Sequence, residues 1–292
     1  MPHTNVLCYD RTRLFYLLCI CGHHCSLKYG RPPMTQEWRS LKNPTTFLHS
    51  EFSTHRDIGL ISQLELWTTT RAVLEQFGAD IKSSVACEKL DDLEKLGHSF
   101  QNWHHTWNGV LGVQGPMSSI AELYYNCALL YLYSHVHRGD NRSPRLDIGT
   151  RLTEIRGHFW RSAQAVVRIF IDGELRILDL PSYFGTMLAF ATVSLIKVVC
   201  DGEVLDQDRH DIMCSLRQLA DTFREIKLPR TSHPYAGIVE GLGQITETLH
   251  ASTSQPAVVS SDLAFNDSVL MDDIWNMDFT DFGSNWMEFN DH

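Results

Sequence analysis

The spacing of large apolar residues is what most limits the folds open to this chain. Leu93, Leu96, Phe100, Trp103 and Trp107 follow one another at steps of three, four, three and four. Those steps line up one face of an α-helix, whereas a half-buried strand would alternate every second residue. The same period recurs along most of the chain, and no convincing alternating run interrupts it. About eight helices are predicted, over residues 9–29, 57–74, 84–107, 118–137, 152–170, 181–200, 212–223 and 238–249. Their stop signals fit: Gly30 with Pro32-Pro33, then Gly109, Gly112, Gly115 and Pro116, then the polar stretch 138–145, then Pro229. In the first helix Leu14, Leu17, Leu18, Cys21 and Cys25 share a face, and that face is expected to be the buried one. The fold class is therefore all-α, a multi-helix, bundle-like domain.

The pattern changes after His250. Residues 251–261 are rich in Ser, Thr, Pro and Ala, the composition of a linker. Beyond it, eight acids and no Lys or Arg fall between residues 256 and 292, so most of the net charge of −10 lies there. Bulky apolar residues alternate with those acids, among them Trp275, Phe279, Phe282, Trp286 and Phe289. The charges keep such aromatics in water until a partner with a basic-rimmed apolar groove captures them. This reading makes 251–292 a disordered acidic tail that binds transcription coactivators. The competing reading folds the tail back on the body as a cover. The body, residues 1–250, is nearly neutral, which gives it no electrostatic pull toward DNA or an anionic membrane.

The eight cysteines are Cys8, Cys19, Cys21, Cys25, Cys87, Cys127, Cys200 and Cys214. The opening residues lack the basic start and apolar core of a secretory leader, so free thiols in a reducing compartment are expected. Residues 183–200 form the longest apolar stretch. Thr186, Thr192, Ser194 and Lys197 interrupt it, which favours a buried core helix over a membrane span.

The most specific motif lies at the start. Arg11-Thr12-Arg13 opens an apolar helix that leads into His23-His24-Cys25-Ser26-Leu27-Lys28-Tyr29-Gly30-Arg31-Pro32-Pro33. This segment resembles the signature of the fungal-specific transcription factor regulatory domain, also called the middle homology region. Its histidine pair and Tyr-Gly-Arg-Pro-Pro turn are most similar to the subgroup of fungal activators of secreted proteases. Arg11, Arg13, His23, His24, Tyr29, Gly30, Arg31 and Pro32 carry the resemblance. Gly22 departs from it, standing where a more polar residue is usual. The resemblance implies a helical regulatory body and a nuclear transcription regulator, an activator of genes read by RNA polymerase II, such as those for secreted proteases or secondary metabolism. It also implies pairing with itself or with a related factor. Such factors read DNA through an N-terminal six-cysteine cluster that holds two zinc ions. No Cys-x2-Cys pair occurs here. DNA contact is thus expected only through another domain or a partner, with no cofactor held by this chain, and an N-terminally truncated member is the expected form.

Other constellations are weighed against plain structure. Cys21 and Cys25 stand one helical turn apart beside His23 and His24, which are metal-donor types. A closed zinc site needs four placed ligands, so core packing is the favoured reading and no metal is assigned. Asp91-Asp92 would need an acid where Lys95 stands to make a prenyl-chemistry motif. No phosphate loop or nucleophile elbow is present. An enzyme is not expected. The alternatives are a helical protein whose aromatic interior binds a small molecule, or a truncated dimerisation partner of a full-length factor.

Overall fold

The computed structural model describes residues 2–29, 44–78, 87–111, 116–136, 146–173, 175, 180–202 and 204–225. Among these residues there are seven α-helices and no strand: α1 (Pro2–Tyr29), α2 (His55–Phe77), α3 (Leu90–Leu111), α4 (Pro116–Ser134), α5 (Leu146–Ile171), α6 (Ser182–Cys200) and α7 (Asp206–Glu225). Two short 3-10 helices, Pro44–His49 and Cys87–Lys89, precede α2 and α3. The predicted eighth helix at 238–249 and the tail 251–292 lie outside the described residues.

The chain divides into two compact units, Met1–Ser162 and Ala163–His292. In the first, α3 packs on both α2 and α4, and α1 lies against α2. Of the stripe that defined α3, Leu93, Phe100, Trp103 and Trp107 are buried and Leu96 is half-buried. Trp103 Nε1 donates to the Ser62 carbonyl at 2.7 Å, and Trp107 Nε1 donates to Glu65 Oε2 at 2.9 Å. Each indole thus spends its polar atom on α2 while burying its ring. α4 is apolar nearly all round, with Leu123, Cys127, Leu130, Leu132 and Tyr133 buried, as expected of the central helix of a bundle. A Cβ on Gly97 would stand 2.6 Å from the Tyr133 hydroxyl, so glycine there lets α3 and α4 approach closely.

In the second unit, the end of α5 contributes Val166, Val167 and Phe170, and α6 packs with α7. Ile212, Leu216, Leu219 and Phe223 line the buried face of α7. α6 is long and apolar enough to cross a membrane, but 67% of its apolar window is buried within the protein, as a core helix requires. α2 ends at Gly78, whose φ of 75° is the left-handed conformation that glycine takes without strain, and whose N–H caps the Leu74 carbonyl at 2.9 Å.

Three expectations need correction. α1 begins at Pro2, seven residues before the predicted start. α3 runs through Gly109 to Leu111, because one glycine costs a helix only about 1 kcal/mol and packing outweighs it. Most consequential, the leucine face of α1 points outward: Leu14, Leu17, Leu18, Cys21 and Cys25 are exposed, and the opposite face, with Tyr9, Tyr16, Cys19, Ile20 and His23, is buried. Both faces are apolar, and the aromatic one finds the aromatic partners that α2 and the Pro44–His49 turn present.

Candidate functional site

The signature helix is held at two places. At its N-terminal end the holder is Asp57, in the first turn of α2, with its side chain 1% exposed. Arg13 donates Nε to Oδ1 at 2.7 Å and Nη2 to Oδ2 at 2.6 Å, the two-pronged arrangement in which a guanidinium matches a carboxylate best. Tyr9 Oη donates to Oδ2 at 2.9 Å, the Thr54 hydroxyl at 2.8 Å, and the Thr54 backbone N–H at 2.7 Å. Thr54 stands at the N-cap of α2, so Asp57 caps its own helix while gripping α1. A carboxylate in a helix first turn also sits favourably in the helix dipole.

The electrostatics follow from these bonds. Burial alone would raise the Asp57 pKa. The hydrogen bonds from Arg13, Thr54 and Tyr9 outweigh it and hold the carboxyl at about 2. Tyr9 in turn is pushed up, by burial first and then by its bond to Asp57. Its ring lies flat on Phe47, with centroids 4.2 Å apart, and Tyr16 meets the same ring edge-on at 5.2 Å.

Three turns further along, His23 and His24 make the second hold. His23 is buried and stacks on Trp67 of α2 at 5.7 Å with the planes 6° apart. His24 stacks on Tyr124 of α4 at 5.8 Å and meets Trp67 edge-on at 5.1 Å. Burial lowers both histidines to about 4, with the nearby Arg71 adding to the effect on His23, and His23 adding to that on His24. Burial likewise raises the Tyr124 hydroxyl far above its usual value. The Tyr124 hydroxyl and His24 Nε2 form a hydrogen bond at 3.3 Å.

The predicted signature residues thus divide. Arg13, His23 and His24 are brought into the contacts of α1 with α2 and α4. Arg11 is exposed on the outer face of α1. Tyr29 is the last residue of α1, while Gly30, Arg31 and Pro32 lie outside the described residues, as do Trp275, Phe279, Phe282, Trp286 and Phe289. Cys21 and Cys25 face outward and the histidines inward, so the four do not converge. Among the described residues no group of three or more His, Cys, Asp or Glu is placed to hold a metal ion. His104, within α3, contacts Glu122 of α4 at 2.5 Å and stacks on Tyr125. Asp91 and Glu94, the acids around the failed prenyl motif, pair with Arg151 of α5.

Sequence reasoning missed Asp57, Thr54, Trp67 and Tyr124 as partners of the signature. One signal was available, since Thr54-x-x-Asp57 directly before an apolar helical run is a capping pattern. Nothing local pointed to Trp67 or Tyr124, because their pairing with the histidines is made by the tertiary fold.

A helix seated by an ion pair at one end and by stacked neutral histidines at the other is built to hold a position. The chain is 33% identical over 204 residues to the transcriptional activator of proteases prtT of Emericella nidulans. The chain is a relative of a fungal transcription factor. The match covers 65% of this chain and 31% of that activator, so the chain spans about a third of its relative's length. Neither a protein-family profile nor a solved structure matches the chain. The kinship agrees with the resemblance carried by the signature.

Proposed function

We propose that this chain is a transcription regulator, an activator of RNA polymerase II genes in the nucleus, in which residues 1–250 form a helical regulatory body and residues 251–292 a linker and acidic activation tail. The observation that carries the reading is the 33% identity to an activator of protease genes, joined to the Arg13, His23 and His24 signature contacts that seat α1. Genes for secreted proteases are the first targets to examine. The body's work is regulatory and not catalytic. DNA is reached through another domain or a bound factor.

The tail is the contact with the transcription machinery. Trp275, Phe279, Phe282, Trp286 and Phe289 are the anchors, and the interleaved acids keep them hydrated until a coactivator groove takes them. Residues 251–292 fused to a heterologous DNA-binding domain are expected to raise reporter transcription at least ten-fold. Replacing the five aromatics by alanine, with every acid kept, is expected to return it to the basal level. A silent fusion, or one indifferent to those replacements, removes the tail from the mechanism.

A further inference from the structure

The thiols of this chain sit in unequal surroundings. Cys19 and Cys127 are fully enclosed, and burial pushes the Cys127 thiol far up, so it stays protonated and inert. Cys8, Cys21 and Cys25 are exposed on α1. Cys214, in α7, is half-buried and stands against a base: its Sγ lies 3.6 Å from His210 Nε2, within hydrogen-bond reach for sulfur. The helix makes the pair, since residues four apart share a face with Cβ atoms about 5–6 Å apart. Arg217 follows Cys214 at a step of three, so His210, Cys214 and Arg217 form one stripe beside the buried face of Ile212, Leu216, Leu219 and Phe223. The Arg217 Nε is buried and has no hydrogen-bond partner among the described residues. One acid on α7 opposes this stripe, Asp211, three residues before Cys214, and its Oδ1 accepts from Gln207 Nε2 at 3.3 Å.

The thiolate, and not the thiol, is the nucleophile, and a base within hydrogen-bond reach is what takes the proton as an electrophile arrives. The half-buried sulfur admits a small reagent ahead of a bulky one. We propose that Cys214 is an oxidative modification site, with His210 as its base and a small hydroperoxide as its reagent. The Cys214 sulfur attacks one oxygen of the peroxide. An S–O bond forms as the O–O bond breaks, so sulfur loses two electrons and the departing oxygen gains them. The proton that His210 takes from the thiol passes to that departing oxygen. The products are a sulfenic acid on Cys214 and water, or an alcohol where the peroxide is organic. The site lies wholly on α7, away from the contacts that seat α1, and does not rest on the transcriptional reading.

The test treats the full chain, first reduced, with hydrogen peroxide while dimedone traps each sulfenic acid as it forms. Digestion and mass spectrometry then follow the label at every cysteine. Cys214 is expected to label about ten-fold faster than Cys8, Cys21 or Cys25, a factor smaller than that of a closed active site because the pair is open to solvent. Exposure alone would give the opposite order, since those three thiols are the more exposed. His210→Gln keeps a polar side chain at an exposed position but removes the base. It is expected to bring Cys214 down to the rate of the other three, with their rates and the far-UV circular dichroism spectrum unchanged. Labelling of Cys214 no faster than that of Cys8, Cys21 and Cys25 overturns the proposal. So does a fast Cys214 whose rate His210→Gln leaves as it was, because the imidazole then has no part in the reaction.

Discussion

At the scale of single residues, Asp57 has the most to lose. Its two oxygens receive five hydrogen bonds from Arg13, Tyr9 and Thr54. Removing Arg13 leaves a buried carboxylate with part of its compensation gone, whereas removing Asp57 leaves only a half-exposed guanidinium. Arg13→Ala is therefore expected to cost about 2 kcal/mol in urea unfolding, near the value of charge-assisted hydrogen bonds. A double-mutant cycle with Asp57→Ala is expected to be clearly non-additive. Additive losses would mean the pair is not coupled. Two glycines make a second contrast. A Cβ on Gly97 meets the Tyr133 hydroxyl, the end of a rigid buried ring, at 2.6 Å; one on Gly59 meets only the Met117 methyl, the end of a flexible chain, at 2.7 Å. Gly97→Ala is expected to destabilise by about 1–3 kcal/mol through overpacking. Gly59→Ala is expected to be neutral or to stabilise by up to about 1 kcal/mol through helix propensity. Thermal unfolding of the two variants reads the difference in sign.

At the scale of the helices, the seat of α1 is sensitive to pH in two separate windows. Folded His23 and His24 titrate near 4 against an ordinary 6.5, so the fold favours their neutral forms. Between those values the unfolded chain binds more protons than the folded one, and stability rises with pH. Their contribution is complete above about pH 6.5 and is lost as pH falls toward 4. For the deeply buried His23 alone this amounts to about 3 kcal/mol at 1.4 kcal/mol per unit. Asp57 titrates near 2 against an ordinary 3.8, so its contribution is complete above about pH 4 and is lost only below that. Urea midpoints are expected to hold from pH 7.5 to about 6.5 and then to fall toward pH 4.5, and His23→Phe is expected to flatten that slope. An unchanged slope in that variant would remove His23 from the account. The same helices show what the sequence could tell. The period of Leu93, Phe100, Trp103 and Trp107 made α3 legible, and the Ile212 to Phe223 stripe did so for α7, since each has one apolar face. α1 has two, so periodicity found the helix but chose the wrong side. The choice was made by Phe47, Trp67 and Tyr124, residues 31 or more positions away from the rings they meet. Arg13 and the histidine pair were legible as a signature; the carboxylate and indole that give them purpose were not, because only the folded backbone brings them together.

At the scale of the whole molecule, the chain combines a helical body that organises contacts with a terminal segment whose composition is suited to capture by a partner. The central claim is that this chain raises transcription when it is brought to a promoter. The most direct measurement tethers the complete chain, residues 1–292, to a heterologous DNA-binding domain in a fungal host and counts reporter transcripts. The account predicts transcription well above the DNA-binding domain alone, falling to that baseline when Trp275, Phe279, Phe282, Trp286 and Phe289 are changed to alanine at equal protein level. Transcription at baseline with the intact chain, or activation that survives the loss of all five aromatics, would contradict it.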